Sequence, residues 1–447
     1  MNRSIPFLSL IAAGLFIGLS CSPDIESRTE KIQVDAPENA SARPAARGDV
    51  AGFGDLLATV EQWGGAYHAD ERGNVTEIDL RGASPADDQV SMLAPFVHLR
   101  SLKLKGDGIT DASASTVSGF SELTRLDLDT VGISDQGIAA LASLPKLESL
   151  RLHRVSKMTD TAAESLAEMP ALTELTLTDS YISDGGLLTI SAMPDLRLLN
   201  LEGSDLIGDS GLEMVARMPN LETLRVRSRG VSDMALEALS ASSSLRVLAV
   251  EDSYAVSDFG LEYLASMENL EELSLAQAFG VTDEGLAYLA PLTKLKRLDL
   301  RRLSLSGDGL AHLSEMRDLE RLDLGAVPIS DESLEHLRAL PSLTILNVME
   351  TPVTDQGVKT LGELKQLRTL ILRGTRISDK GLRSLASIDR LGRLDLAGTP
   401  ITDDSVPTLV AMKDLLELDL RDTQITSAGV AKLQSALPKT SVTHVTK

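Results

Sequence analysis

Residues 375–382 read TRISDKGL, and residues 399–406, 24 positions further on, read TPITDDSV. Each phrase is followed, after a run of Leu-rich sequence, by an L-x-x-L-x-L pattern with the same period. Aligning the whole chain on that pattern gives fifteen starts, each 24 or 25 residues after the last: Val75, Leu99, Leu123, Leu147, Leu172, Leu196, Leu221, Leu245, Leu270, Leu295, Leu319, Leu343, Leu367, Leu391 and Leu415. A period this regular predicts a repeat architecture rather than several globular domains.

Each repeat carries two hydrophobic periods. Apolar residues at its first, fourth and sixth positions indicate a short strand, and the later GLxxLxxL spacing indicates a short helix. A single repeat cannot bury its leucines alone, whereas a stack of repeats does so along its whole length. We therefore predict an α/β fold in which each repeat contributes a strand, a turn, a short helix and a return.

From Val75 to Pro438 the chain resembles a leucine-rich repeat protein. Its repeat pattern is similar to that of F-box leucine-rich proteins and bacterial GALA-type proteins. The resemblance implies a solenoid with a curved parallel sheet on its concave face and short helices on its convex face. No F-box-like helical stretch precedes the repeats, so a ubiquitin-ligase adaptor role is not carried over. The ninth position, where the family has Asn or Cys, is Thr in the last repeats, which predicts a side-chain ladder there only: Thr351, Thr375, Thr399 and Thr423.

The composition limits the classes of partner. The chain has 447 residues and a formal charge of −22, which disfavours binding to nucleic acid or to an anionic lipid surface. Its one cysteine, Cys21, excludes an intrachain disulfide framework.

The N-terminus predicts export. Residues 1–20, MNRSIPFLSLIAAGLFIGLS, combine an early Arg with an apolar run, as in a signal peptide. Cys21 directly after it resembles the lipid-attachment cysteine of bacterial lipoproteins, although the order Gly18, Leu19, Ser20 departs from the usual box. Lipidation is the favoured interpretation, which places the protein in the cell envelope on a lipid anchor. Cleavage without lipid and an uncleaved anchor are the alternatives.

The remaining organisation follows from composition. Residues 21–50 are rich in Pro, Ala and charge and predict a flexible tether. Residues 51–98 form an N-terminal cap with the first repeat, in which Trp63 closes the end of the stack. Residues 99–439 hold the leucine-rich repeats, and residues 440–447 a C-terminal strand or cap.

The repeats show little chemistry. Their Ser/Thr-Asp pairs, such as Ser378-Asp379, are typical of helix N-termini, where they satisfy free amides and suit the helix dipole. His312 and His336 share a phase in successive repeats, but without further ligands at defined spacing they predict surface histidines rather than a metal site. No nucleophile with a paired base and no phosphate-binding loop stands out. We expect no catalytic residue, metal or cofactor.

The strand positions that point away from the core are balanced in charge. Positions three, five and seven of the repeats carry thirteen basic and thirteen acidic residues and no aromatic ring. The aromatic residues Tyr181, Tyr254 and Phe279 come just after the strands and are predicted to share one rim. The arginines cluster nearby, and every 25-residue repeat falls in the same middle stretch. Arg and Tyr are enriched where interfaces concentrate binding energy, so we predict a partner site at Arg151, His153, Arg154, Tyr181, Arg225, Arg227, Arg229, Tyr254 and Phe279.

The sequence thus predicts a monomeric, non-catalytic repeat protein that binds a protein or peptide through its concave face and rim. One alternative is that the middle stretch reflects neutral drift in loop length with ion pairs along the stack. Others are a structural or spacing protein of the envelope with no dedicated partner, or an adaptor resembling F-box leucine-rich proteins.

Overall fold

The computed structural model describes residues 49–445. The predicted signal peptide, Cys21 and all but the last two residues of the predicted tether lie outside the described residues. Within residues 49–445, seventeen strands form a single sheet. Their bounds are β1 Ala66–Ala69, β2 Val75–Asp79, β3 Ser101–Lys105, β4 Arg125–Asp129, β5 Ser149–His153, β6 Glu174–Thr178, β7 Leu198–Glu202, β8 Thr223–Arg227, β9 Val247–Glu251, β10 Glu272–Ser274, β11 Arg297–Asp299, β12 Arg321–Asp323, β13 Ile345–Asn347, β14 Thr369–Ile371, β15 Arg393–Asp395, β16 Glu417–Asp419 and β17 Ser441–Thr443.

Short helices follow the strands. The α-helices are α1 Asp49–Gly52, α2 Gly54–Gln62, α3 Asp87–Ser91, α4 Asp111–Val117, α5 Asp135–Leu141, α6 Thr161–Ala167, α7 Asp184–Ile190, α8 Asp209–Val215, α9 Asp233–Leu239, α10 Asp258–Leu264, α11 Asp355–Leu361, α12 Asp379–Leu382, α13 Val406–Ala411 and α14 Ser427–Ala436. Segments of 3-10 helix take the same place or extend it at Gly285–Leu289, Asp308–Leu313, Glu332–Ala339, Arg383–Ser387 and Asp403–Ser405.

The strands follow chain order across the sheet. The hairpin strands β1 and β2 pair antiparallel, and every later neighbour pairs parallel with no register shift. Leu298, Leu322 and Leu346 are partners in adjacent strands, so each leucine lies directly beside its counterpart. Each of the fifteen predicted repeats contributes one of the strands β2–β16, which begin at the predicted start or two residues after it, and the predicted fold class is confirmed.

The core is continuous and almost entirely aliphatic, with Phe96 and Phe120 as its buried aromatic members. The first, fourth and sixth positions of each repeat point inward, as Leu343, Leu346 and Val348 show, each with no exposed surface. The N-terminal end is covered by α2 and by an edge-to-face pair of Phe53 and Phe96, whose ring centroids lie 5.6 Å apart. Trp63 packs partly buried against the same core, as a cap requires.

Hydroxyl side chains support the turns after the strands. The hydroxyl of Thr375 donates to the carbonyl of Leu372 at 2.6 Å, and Thr351, Thr399 and Thr423 make the equivalent bond. The prediction that such side chains occur only in the last repeats is wrong. Buried serines at or next to this position also bond the backbone in the middle repeats, although to the preceding repeat. The hydroxyls of Ser204, Ser228 and Ser253 donate to the carbonyls of Leu177, Ile207 and Ser228, and Ser180 contacts the hydroxyl of Ser204.

The helices are short throughout. Among residues 49–445, none is both long and apolar enough to cross a membrane.

Candidate interaction surface

The repeated Ser/Thr-Asp phrase joins each repeat to the next. The carboxylate of Asp331 accepts hydrogen bonds from the backbone amide of Thr354 at 2.8 Å and from its hydroxyl at 2.5 Å. The hydroxyl of Thr354 in turn accepts from the amide of Gln356, as predicted for a helix cap. Assigning the aspartates to capping was incomplete, since their carboxylates bind the following repeat. We call this series the aspartate ladder.

The ladder runs through most of the described chain. Its carboxylates are Asp87, Asp111, Asp135, Asp160, Asp184, Asp209, Asp233, Asp258, Asp283, Asp331, Asp355, Asp379 and Asp403. It is interrupted in the repeat that begins at Leu295, where Gly307 stands in place of the aspartate. The glycine adopts a left-handed backbone, with φ of 105°, and lies against Ser333.

The aspartate ladder explains why the repeated Ser/Thr-Asp motif contains a glycine two residues after the aspartate. A Cβ on Gly357 would lie 2.4 Å from Oδ1 of Asp331, closer than any side chain tolerates. The order hydroxyl-Asp-x-Gly-Leu therefore leaves room for the carboxylate of the preceding repeat. The repeated motif therefore serves to join neighbouring repeats.

A metal site is not apparent in the described part of the chain. Within residues 49–445, no three His, Cys, Asp or Glu side chains converge to hold a metal ion. The ladder carboxylates are instead occupied by amide and hydroxyl donors. His312 is exposed and His336 half-buried, both on the helix side of the stack.

Some ion pairs of the strand face reach across an intervening strand. Nη2 of Arg225 lies 3.6 Å from Oε2 of Glu272, two strands away, and the residue paired with Arg225 on the strand between them is the buried Ala249. In the same way Arg373 reaches Asp419, at 3.0 Å. These pairs consume much of the balanced charge predicted for this face.

A group of carboxylates lies at the middle of the strand face. Burial raises the pKa of Glu251 above its ordinary value, and the charges of Asp299 and Glu202 add to the effect, against a hydrogen bond from Ser274 and the charge of Arg301. The guanidinium of Arg301 is held by Asp299, with Nη2 2.5 Å from Oδ2. Arg301 is therefore the cation that offsets the negative charge of this carboxylate group.

Further toward the C-terminus, Asp323 is almost fully buried, with 5% of its surface exposed. Burial raises the pKa of Asp323, as does the charge of Asp299. The amide of Asn347 donates to Asp323 at 2.9 Å, which lowers that pKa in part.

The structure places Arg151, His153 and Arg154 on and directly after β5. Nδ1 of His153 lies 2.5 Å from the hydroxyl of Thr178, and its Nε2 is 3.9 Å from Oδ1 of Asp127. That Oδ1 is the one buried side-chain oxygen or nitrogen of residues 49–445 without a hydrogen-bond partner.

Arg151 is exposed on the strand face. Arg154 has a left-handed backbone and pairs with Asp129, its Nη2 2.5 Å from Oδ1. These two residues and His153 lie three repeats before Arg229 and do not join it.

The three predicted arginines 225, 227 and 229 are separated by their environments. Arg225 is paired across the strand face, and Arg227 is 4.0 Å from Asp179. Arg229 is exposed, and its guanidinium carbon lies 5.7 Å from the centroid of the Tyr254 ring, in cation–π range.

Tyr254 stacks in turn on Phe279, with ring centroids 5.2 Å apart and planes at 34°. Arg229, Tyr254 and Phe279 therefore form one row along three consecutive repeats. Tyr181, 57% exposed, occurs two repeats before Arg229 and is not part of the row.

A second row runs beside the first, immediately after the strands. Asp252, Gln277 and Arg302 each have a left-handed backbone, with φ of 53°, 64° and 58°. The amide nitrogen of Gln277 donates to Asp252, and its oxygen accepts from Nη1 of Arg302 at 3.4 Å. We call the two rows together the rim platform, and it consists of Arg229, Tyr254, Phe279, Asp252, Gln277 and Arg302.

Sequence reasoning missed how the aromatic residues are distributed. Every aromatic residue after Phe120 falls between positions 181 and 288. None is buried, and Phe259 is 74% exposed. Phe259 and Tyr263 are i and i+4 on α10 and so share a helix face. The set is Tyr181, Tyr254, Phe259, Tyr263, Phe279 and Tyr288. Simple counting of rings along the chain would have revealed it.

Comparison with known proteins agrees with this architecture. A family model described as Leucine Rich repeat matches residues 192–216, 339–362, 365–386 and 411–433. The fold is a leucine-rich repeat solenoid. Its parallel sheet forms one face, its short helices form the other, and the rim platform lies where strands of the solenoid give way to turns.

Two solved structures of internalins from Listeria monocytogenes are similar to the solenoid. Internalin InlF is 21% identical with a TM-score of 0.46, covering 81% of this chain and 92% of that one. Internalin C2 is 25% identical with a TM-score of 0.34, covering 48% of this chain and 84% of that one. No curated protein matches the chain.

Proposed function

We propose that this solenoid is a non-catalytic recognition protein that binds another protein through the rim of its middle repeats. The observation that carries the proposal is the placement of its aromatic residues. After Phe120 the buried core of the repeats is built from aliphatic side chains, so the later rings are not needed to fill it. Six such rings nevertheless lie in one stretch of about 110 residues, and two of them stack beside Arg229.

Aromatic and arginine side chains are the residues that most often dominate binding energy at protein interfaces. Tyr254 and Phe279 are each 46% exposed, and their mutual contact fixes their orientation before a partner arrives. A preordered pair of rings costs little conformational entropy on binding. The strand face itself is less suited, because its arginines and carboxylates already pair with one another.

The test is capture of partners from a cell-envelope extract with the full chain. A Tyr254→Ser/Phe279→Ser variant removes the ring pair, and a Val97→Ser/Leu416→Ser variant is the matched control. Val97 and Leu416 are exposed apolar residues, at 58% and 60%, outside the middle repeats. Circular dichroism establishes that all three forms are folded.

The proposal expects a protein retained by the wild type and the control and lost by the ring variant. With that protein purified, removing both rings should weaken its Kd by at least about tenfold. Equal retention by all three forms would place the site elsewhere. Retention of nothing by any form would favour a structural or spacing role without a dedicated partner.

We also propose that the protein is exported and held at a membrane of the envelope by a lipid on Cys21. Support comes from the signal-like residues 1–20 directly before the only cysteine. Intact mass of the purified protein distinguishes the alternatives. Loss of residues 1–20 with added acyl mass supports the proposal, loss without added mass indicates simple cleavage, and an unprocessed mass indicates an uncleaved anchor. Cys21→Ala should abolish the acyl mass.

A further inference from the structure

We infer that the rim platform receives an acidic segment of a partner protein, one in which apolar side chains are flanked by carboxylates. The inference rests on the proposed function and specifies the chemistry of the partner. It is carried by the charges at the two ends of the platform. Arg229 stands at one end and Arg302 at the other, with Tyr254 and Phe279 in the repeats between them.

Both terminal arginines are exposed, and neither guanidinium group is engaged in an ion pair within the described chain. Among residues 49–445, no carboxylate lies within 4.0 Å of the guanidinium of either Arg229 or Arg302. Arg229 contacts the face of a ring, and Arg302 makes one long bond to the neutral amide of Gln277. Most strand-face arginines, by contrast, have a carboxylate partner, as Arg301 does with Asp299.

The one carboxylate on the platform is already engaged. Asp252 accepts from the amide nitrogen of Gln277, whose oxygen faces Arg302. This chain of contacts aligns the amide dipole so that its oxygen is directed at the cation. The platform therefore carries a cation at each end and two rings between them, with its one carboxylate, Asp252, bonded to the amide of Gln277 in the row beside the rings.

The spacing fixes the size of the segment. Strands of a sheet lie about 4.8 Å apart, so Arg229 and Arg302, three repeats apart, are separated by about 14 Å along the stack. An extended segment spans that distance with about four residues, and a helix with about nine. The expected pattern is two apolar residues with an acidic residue on each side.

The rings are held for such a contact. Ser253 and Ala278, which directly precede Tyr254 and Phe279, are fully buried. The hydroxyl of Ser253 donates to the carbonyl of Ser228 at 3.0 Å, in the preceding repeat. The backbone beneath the rings is therefore anchored, and the rings can pack against a partner with little reordering.

The test is selection of random 12-residue displayed peptides on the full chain. We expect enriched peptides to carry Asp or Glu on both sides of a pair of aromatic or branched aliphatic residues. Synthetic copies labelled with fluorescein then give a Kd by anisotropy. Tyr254→Ser/Phe279→Ser should weaken binding by about tenfold or more, and Arg229→Gln/Arg302→Gln by a similar factor. Arg317→Gln, at an exposed arginine of the same solenoid, should leave the Kd unchanged.

A charge-reversed protein sharpens the result. Selection on Arg229→Glu/Arg302→Glu should return peptides with Lys or Arg in place of the acidic residues. The inference is overturned if no peptide is enriched, if enriched peptides lack acidic residues, or if binding is indifferent to the two arginines. Self-association in sedimentation that the ring substitutions abolish would identify a second copy as the occupant instead. If a captured protein depends on the rings but not on Arg229 and Arg302, the proposed function stands and this inference fails.

Discussion

The carboxylate of Asp355 accepts two hydrogen bonds from Ser378 in the following repeat, one from the backbone amide and one from the hydroxyl, each at 2.7 Å. Ser378 in turn caps α12 by accepting from the amide of Lys380. One residue pair thus couples the helix start of one repeat to that of the next. Because the pair recurs along the solenoid, it contributes to stability at nearly every junction between repeats.

Removing a ladder carboxylate should destabilise the stack. Asp355→Ala leaves the amide and hydroxyl of Ser378 without their acceptor in a partly buried position. An unmade hydrogen bond of this kind costs about 1–3 kcal/mol. We expect the free energy of unfolding from urea titration to fall by that amount, whereas Asp389→Ala, at an exposed aspartate of the same region, should change it by less than about 0.5 kcal/mol. Equal effects of the two substitutions would contradict the role of the ladder.

Filling the space beside the same carboxylate should be harmful too. A Cβ on Gly381 would lie 2.2 Å from Oδ1 of Asp355, so Gly381→Ala forces the aspartate away from Ser378. We expect a loss of about 1–3 kcal/mol. The matched control is Gly392→Ala, where the nearest atom would be 3.8 Å away. In the Asp355→Ala background, Gly381→Ala should cost less, because the contact with the carboxylate is gone and only the approach to Cα of residue 355, at 2.9 Å, remains. An equal cost in both backgrounds would assign the clash to the backbone.

Replacement by glycine should stabilise the protein at left-handed positions after the strands and destabilise it at helical positions. Ala326 has φ of 56°, a conformation that costs a residue with a side chain about 1–2 kcal/mol. After the extra chain entropy of glycine is subtracted, Ala326→Gly should stabilise the protein by up to about 1 kcal/mol. Ala311→Gly, in the 3-10 segment Asp308–Leu313, should destabilise it by roughly 0.5–1 kcal/mol. Urea titration of both variants tests the contrast, which fails if both shift the midpoint in the same direction.

Acid should weaken the ladder. Burial raises the pKa of Asp379, but its hydrogen bonds from Ser405 and Thr402 together outweigh it, so the folded pKa lies below the ordinary value. Asp87 and Asp283 have lowered pKa values by the same balance of causes. At Asp403 the hydrogen bond from the backbone amide of Thr426, in the next repeat, has the largest effect and lowers the pKa.

A carboxyl with a lowered folded pKa binds fewer protons in the folded than in the unfolded state. Its stabilisation is therefore present above the unfolded pKa of about 3.9 and is lost as pH falls through the folded pKa. The difference in urea midpoint between wild type and Asp379→Asn should be constant from pH 7 to about 5 and shrink below about 4. A difference that grows in acid would reverse the predicted sign.

The sequence was sufficient to predict the fold because the repeat period is visible in the leucines alone. Leu298, Leu322 and Leu346 sit in register because each repeat restarts the same strand pattern. The role of the aspartates was not predictable in the same way. A Ser/Thr-Asp pair suits a helix start locally, and the bond from Asp355 to Ser378 becomes apparent only when two repeats are stacked.

The candidate site was predictable only in part, since the partner of each side chain depends on how neighbouring repeats stack. Arg225 and Arg229 look alike in the sequence, yet Arg225 pairs with Glu272 two strands away, whereas Arg229 contacts the ring of Tyr254. The sequence did not single out Arg302, because its role in the rim platform depends on having no carboxylate nearby, and that becomes apparent only in the structure. The site residues themselves stay a prediction.

The most direct measurement is site-specific photocrosslinking in living cells of the source organism. A photoreactive phenylalanine analogue replaces Phe279 on the rim platform or, as the control, Leu416, which is 60% exposed outside the middle repeats. We predict a discrete crosslinked adduct with another protein from position 279 and none from position 416. Absence of an adduct at 279, or the same adduct from both positions, would contradict a recognition site at the rim.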